Sequence, residues 1–305
     1  MTKVVSPLNT KNCIKLKTLP SEYINTKLSN YLGAPLKSSV KENYDLFKCE
    51  TSGLVFASPM VGDSSEFYDE LGRYSWYYSK YRWEWDIIEN ELSTYLNYFE
   101  LLDVGCGSGV FMQRLKKKFE EAEICGIDYS EASVSEAISA GLNASTESIE
   151  DLKIKNSSFN VVCLMHVLEH VESPLGLINE IKDSILANGG LIYISTPNSP
   201  MTFEQGWYDP LNHPPHHLTR WNSSAYRYLA DTVGAEIQIF LSPSKPYIRR
   251  VLEGFRAKIS MKSTSRRKIL LAMLRHPLTV MKTIIDQAGL SHEQCSDTIL
   301  VRLKF

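Results

Sequence analysis

Between Leu101 and Leu241, short apolar runs alternate with stretches of helical periodicity, the pattern of βαβ units around a parallel sheet. The period-2 and continuous apolar runs predict strands at Leu101–Val104, Glu123–Ile127, Asn143–Thr146, Asn160–Met165, Gly190–Ser195 and Glu236–Leu241. Helical spacing predicts Val110–Phe119, Glu131–Ala140, Pro174–Ala187 and Ser223–Val233 between them. Pro174 suits a first helical turn, and Asn188-Gly189-Gly190 reads as a stop signal. Such alternation implies a parallel sheet with helices on both faces, which takes its ligands at the carboxyl ends of the strands. Upstream, residues 1 to about 66 read as irregular apart from a strand-like run at Leu54–Ala57, and residues 67 to about 99 as an aromatic-dense helical stretch through Tyr77, Tyr78, Tyr81, Trp83 and Trp85. Downstream, two basic amphipathic helices are expected at Val251–Ile259 and Ile269–Met281, and TILVRLKF (298–305) closes as a strand.

The 305 residues are 43% hydrophobic and 22% charged, which fits globular domains and excludes wholesale disorder. No apolar run approaches the roughly 18 residues of a membrane span, and the first residues lack the apolar core of a signal peptide. Six cysteines at 13, 49, 106, 125, 163 and 295 form no CxxC pair, so neither a disulfide framework nor a four-cysteine zinc site is expected, and a cytoplasmic setting is. The net charge of -2 gives no reason to expect nucleic acid. It conceals a split, because residues 245–282 hold eleven basic residues against the single acid Glu253. That segment is expected to meet an anionic partner: a membrane surface, a polyphosphate or a lipid-linked substrate, with a merely solvated face as the plain reading.

The first strand runs through Asp103 into Gly105-Cys106-Gly107-Ser108-Gly109 and then a helix. Glycines there let the backbone turn tightly and come close to a ligand. The spacing is GxGxG rather than the GxGxxG of dinucleotide sites, and Asp103 before the turn is a second departure. The second strand ends in Asp128, an acid placed to accept from ribose hydroxyls; the alternative is that it caps the next helix, for which Ser130 is better placed.

These residues resemble the class I S-adenosylmethionine-dependent methyltransferases. The likeness runs through LLDVGCGSG, GIDYS, SSFNVVCLMHVLEHVESP and LANGGLIYISTPN, covering Leu101 to Leu241 with the final strand. It implies an α/β, Rossmann-like, seven-stranded, mostly parallel sheet with its last strand antiparallel, and S-adenosyl-L-methionine as cofactor. It further implies that Asp103, Gly105 and Gly107 frame the methionine moiety and that Asp128 holds the ribose. The full cofactor set it suggests is Asp103, Gly105, Cys106, Gly107, Gly109, Asp128, Tyr129, Ser148, Ile149 and Met165. The chain departs from relatives in having Ser148-Ile149 where an acid often meets the adenine amino group, and Asn160 where an Asp is usual.

His166-Val167-Leu168-Glu169-His170 also fits a zinc-protease pattern if helical, since His166 and His170 would share a face. Directly after a buried strand and before Pro174 it is expected instead as a turn beside the methyl-transfer site, with no metal. A second histidine group, His213, His216 and His217, sits among prolines before the Ser223 helix. A histidine here can take the acceptor's proton as the methyl moves, and the candidates are His216, His217 and His166; the plain alternative is that they bond the loop to itself.

YDLFKCETSGLVFASP (44–59) resembles the cysteine-rich segment that precedes some sugar methyltransferases, with Ser52 in place of the second cysteine after Cys49. The expected organisation is a degenerate zinc-ribbon-like cap over 1–66, a cofactor-binding core over 67–241, a basic helical insertion over 242–296 and the last core strand over 297–305. The expected activity is methyl transfer to a small acceptor, with an oxygen of a sugar or glycolipid precursor of surface polysaccharide as first choice. An NAD-dependent oxidoreductase, a zinc hydrolase and a non-catalytic binding partner are the rivals.

Overall fold

A computed structural model describes residues 4–36, 39–62, 65–72, 74, 81–95, 98–200, 210–259, 261 and 265–305. Tyr77 and Tyr78, named above, lie outside them.

The amino-terminal part is ordered, contrary to the irregular segment expected. Strand β1 (Cys13–Leu19), helix α1 (Ser21–Leu32) and strands β2 (Tyr44–Cys49) and β3 (Val55–Ser58) build a small antiparallel sheet. Leu19, Ile24, Leu28, Tyr44, Leu46 and Ala57 contribute to the cap's own core, while Ile14, Leu16, Tyr23 and Tyr31 are exposed among Lys, Thr and Asn. Gly33, in the left-handed region at φ 74, ends α1 and donates to the Ser29 carbonyl. At the base of the sheet Cys13 faces Cys49 in register, Thr10 Oγ1 lies 2.7 Å from Cys49 Sγ, and Ser52 N donates to that sulfur at 3.3 Å. Ser6 Oγ lies 2.6 Å from Thr10 Oγ1, so hydroxyls and the Cys49 sulfur hold this corner together through hydrogen bonds.

Helices α2 (Ser65–Gly72) and α3 (Trp83–Tyr95) lead into the core: β4 (Glu100–Val104), α4 (Val110–Lys118), β5 (Glu123–Ile127), α5 (Glu131–Ser139), β6 (Asn143–Ser145), α6 (Ile149–Ile154), β7 (Phe159–Met165), α7 (Pro174–Ser184), β8 (Leu186–Pro197), β9 (Thr219–Arg220), α8 (Ser223–Val233) and β10 (Glu236–Leu241). Then come α9 (Tyr247–Lys258), α10 (Arg266–Arg275), α11 (Pro277–Ala288) and β11 (Thr298–Lys304). The seven-stranded sheet has the order β10-β11-β8-β7-β4-β5-β6, with β11 antiparallel to both neighbours. Neighbouring residues along each central strand alternate between two cores. Leu102, Val162, Leu164, Ile192 and Val301 pack under α6, α7 and α8, whereas Leu101, Val161, Cys163, Tyr193 and Leu300 pack under α3, α4 and α5.

Two boundaries differ from expectation. Helix α7 ends at Ser184, because Leu186 already pairs with Phe159 and extends β8 backwards through a bulge. The single basic helix expected over Ile269–Met281 is two, since Pro277 cannot continue α10 and instead opens α11. Strand β9 joins the cap sheet against β3 rather than the core sheet, so the residues just after the histidine loop are woven into the cap.

Candidate active site

The carboxyl ends of β4 and β5 carry the first half of the site. Gly105, Gly107 and Gly109 all adopt left-handed φ (73, 54 and 77), and a Cβ on Gly109 would lie 2.3 Å from Leu142 Cδ1. The turn is locked to β5: Gly105 N and Cys106 N both donate to the Ile127 carbonyl, at 2.8 and 3.1 Å, and Gly107 N donates to Asp128 Oδ2 at 2.8 Å. Asp128 Oδ1 accepts from Ser130 N, while Ser130 itself caps α5 through Ser133 N. Asp128 therefore ties the turn to the second strand and does not serve as the helix cap. Asp103 is 2% exposed, and its Oδ1 has no hydrogen-bond partner among the described residues. Burial, with the Asp128 carboxylate adding to it, pushes its pKa up to about 8.

Around this turn, Cys106 is buried against Gly126 and its thiol pKa is raised by burial and by Asp103. Tyr129 is 90% exposed beside Asp128. Ser148 caps α6 in a reciprocal pair with Asp151, and Ile149 is buried behind it. Met165 ends β7, with Ser195 Oγ 3.7 Å from its sulfur. All ten residues of the expected cofactor set thus lie along the carboxyl ends of β4 to β7. Asn160 does not: it sits at the opposite end of β7, where its Oδ1 accepts from Glu100 N at 2.9 Å.

The second half lies beyond β7. Residues 166–170 form turns rather than a helix, so the zinc-protease arrangement is absent. His166 takes φ 59, a conformation few side chains adopt, and stands between two buried carboxylates, Glu84 Oε1 at 3.4 Å and Glu169 Oε1 at 3.3 Å. Burial and Arg82 depress its pKa, but the two carboxylates outweigh them and hold it raised. The histidine loop folds onto this turn, with Leu218 N and Thr219 N donating to the Glu169 carbonyl. It brings His216 and His217 against His170, with ring centroids 4.5 to 4.8 Å apart. Burial lowers all three pKa values, those of His216 and His217 well below the ordinary range. His216 is buried against Phe67, His217 is half-buried, and His213 faces Lys17 Nζ at 3.4 Å. Sequence reasoning missed Glu84, 82 positions upstream, and Phe67; no local motif marks either residue.

Residues 69–238, more than half of the chain, match the family described as "Methyltransferase domain". The chain belongs to that family. It is a class I methyltransferase, and its cofactor is S-adenosylmethionine. The ubiquinone biosynthesis O-methyltransferase of Haemophilus ducreyi is 33% identical over 110 residues, covering 32% of this chain and 45% of that protein. The tRNA U34 carboxymethyltransferase of Psychromonas ingrahamii is 33% identical over 118 residues, covering 36% of this chain and 35% of that one. The methyltransferase thus spans less than half the length of these curated relatives. A solved SAM-dependent methyltransferase from Archaeoglobus fulgidus overlaps 72% of this chain and 94% of its own at TM-score 0.46 and 16% identity.

The turn fits this cofactor. A buried carboxylate with an unsatisfied oxygen calls for a cationic neighbour, and the methionine end of S-adenosylmethionine carries an ammonium and a sulfonium. A dinucleotide fits worse, because the three amides that would cradle a pyrophosphate are already spent on Ile127 and Asp128, and two carboxylates stand beside it.

Proposed function

We propose that the methyltransferase moves a methyl group from S-adenosylmethionine to a hydroxyl oxygen of a small, lipid-linked acceptor. The observation that carries this is the meeting of two unlike halves at the carboxyl ends of the strands: a carboxylate-lined turn suited to a cation, and a cluster of three histidines beside the His166 turn. Asp103 would hold the methionine ammonium, Asp128 the ribose, and Ile149 and Tyr129 the adenine. The bound cofactor supplies an already activated methyl group, so the chain's part is to align the acceptor. His166, flanked by Glu84 and Glu169, is suited to donate a hydrogen bond to the acceptor. The cluster containing His216 and His217 is suited to position the acceptor hydroxyl, whose proton passes to water.

An oxygen acceptor is supported by the O-methyltransferases among the relatives. Nothing in their names points to polysaccharide, and the quinone precursor they imply is also a lipophilic hydroxyl compound. No helix among the described residues is long and apolar enough to cross a membrane. Instead α10 exposes Leu270, Leu271 and Leu274 and α11 exposes Leu278, Met281 and Ile285, among the exposed Arg266, Arg267, Lys268, Arg275 and Lys282. Apolar and cationic side chains so interleaved suit a cytoplasmic protein resting on an anionic membrane that presents its acceptor.

The test is transfer of radiolabelled methyl to a prenylated catechol, a glycolipid and a free sugar, each with and without phosphatidylglycerol vesicles. Labelling of a lipid-linked acceptor, enhanced by vesicles, is expected. Labelling of the free sugar alone, indifferent to vesicles, would overturn the reading.

A further inference from the structure

His170 follows β7, and His216 lies 46 positions further on, yet the fold places His170, His216 and His217 together. One ring nitrogen of each lies within 4.8 Å of those of the other two. Each ring is also oriented by an oxygen. His170 Nδ1 is 2.6 Å from the His216 carbonyl, His217 Nδ1 is 3.0 Å from Asn212 Oδ1, and the His216 ring bonds the Leu211 backbone. Those oxygens only accept, so the facing nitrogen carries the proton and the other nitrogen of the same ring carries the lone pair. Three imidazoles each oriented by an oxygen, with one nitrogen of each converging within 4.8 Å, are arranged as metal-ligating histidines are. Beside them lies Glu169, 1% exposed, whose Oε1 faces His166 Nδ1 at 3.3 Å.

We propose that His170, His216 and His217 bind one divalent transition-metal cation of the zinc type. All-nitrogen ligation selects zinc, cobalt, nickel or copper over magnesium or calcium, which take oxygen ligands. Tetrahedral zinc–nitrogen bonds of about 2.0–2.1 Å place the nitrogens roughly 3.4 Å apart, so the rings close by about 1.4 Å on binding. Half-buried His217 has room for that movement. Three protein ligands leave the fourth position open. Resting on the function proposed above, that position suits the acceptor hydroxyl: its proton passes to water, and the O–CH3 bond forms as the S–CH3 bond of S-adenosylmethionine breaks. The three histidines come from two loops that meet only in the fold, so no local spacing marks them.

The test measures metal rather than turnover. The full chain is stripped with chelator, dialysed against Zn2+, passed through a desalting column and assayed for metal content; Co2+ serves as an optical probe. One equivalent of zinc and the visible bands of tetrahedral Co2+ without thiolate charge transfer are expected. His217→Ala and His170→Gln, shown folded by circular dichroism, should each weaken binding at least tenfold, and Cys13→Ser/Cys49→Ser should not. Retention below a tenth of an equivalent in the unaltered chain would overturn the proposal. So would equal retention in the histidine variants, or loss confined to the cysteine variant. Metal binding without transfer to any lipid-linked acceptor would overturn the acceptor reading and leave the metal site standing.

Discussion

On the β4–β5 side of the site, backbone carries the recognition; on the β7 side, side chains do. The glycine turn spends its amides on Ile127 and Asp128 and shapes a pocket around one orphaned carboxylate, all within residues 103–130. The histidine side gathers Phe67, Glu84, His166, Glu169, His170, His216 and His217 from four separate stretches, held by the cap through β9 and by bonds to the Glu169 carbonyl. The first half needs a ligand to neutralise it, while the second supplies lone pairs.

The contrast can be broken first at Asp103. Its pKa, normally 3.8, is raised to about 8, so between those values the folded chain keeps a proton that the unfolded chain releases. Stability should therefore fall as pH rises from about 4 to about 8, by up to about 1.4 kcal/mol per pH unit, and level off above. Chemical denaturation across that range should show a shallower slope for Asp103→Asn. A slope identical to the parent's would mean the carboxylate is already ionised.

Next, Asp128→Ala removes the charge-assisted bonds to Gly107 N and Ser130 N together with the ribose contact. Calorimetry should show S-adenosylmethionine affinity falling by about 100-fold or more. Gly109→Ala, at φ 77 and with its Cβ driven into Leu142, should cost about 2 kcal/mol in denaturant unfolding.

On the other half, His217→Ala should lower turnover by about 10–100-fold with cofactor affinity unchanged, and His216→Ala should lower turnover too. Unaltered rates in both would remove the loop from the chemistry. The smallest effect is expected at Tyr129→Ala, where a side chain 90% exposed in the ligand-free chain can lose only what it gains on closing over the adenine: about threefold in cofactor affinity by calorimetry.

Legibility followed sequence distance. Strands β5 and β10 and helix α8 begin and end where the apolar pattern placed them, because each buries a face whose period shows directly in the chain. The cap did not show, since β1 is exposed along most of its length, carries Lys15 and Lys17, and shifts register between them, which breaks the period-2 pattern. Pro277 was readable as a helix break and was passed over in favour of the apolar spacing around it.

The amino acids alone determined the class of fold, the glycine turn and Asp128, because those depend on local backbone sterics and on which face of a strand meets the core. Only the tertiary structure decided that Asp103 Oδ1 is buried without a hydrogen bond among the described residues, that Glu84 reaches His166, and that His170 meets His216 and His217. The physical reason is that burial and proximity across tens of residues are set by packing: a sheet edge brings loops together whose sequences carry no mark of one another.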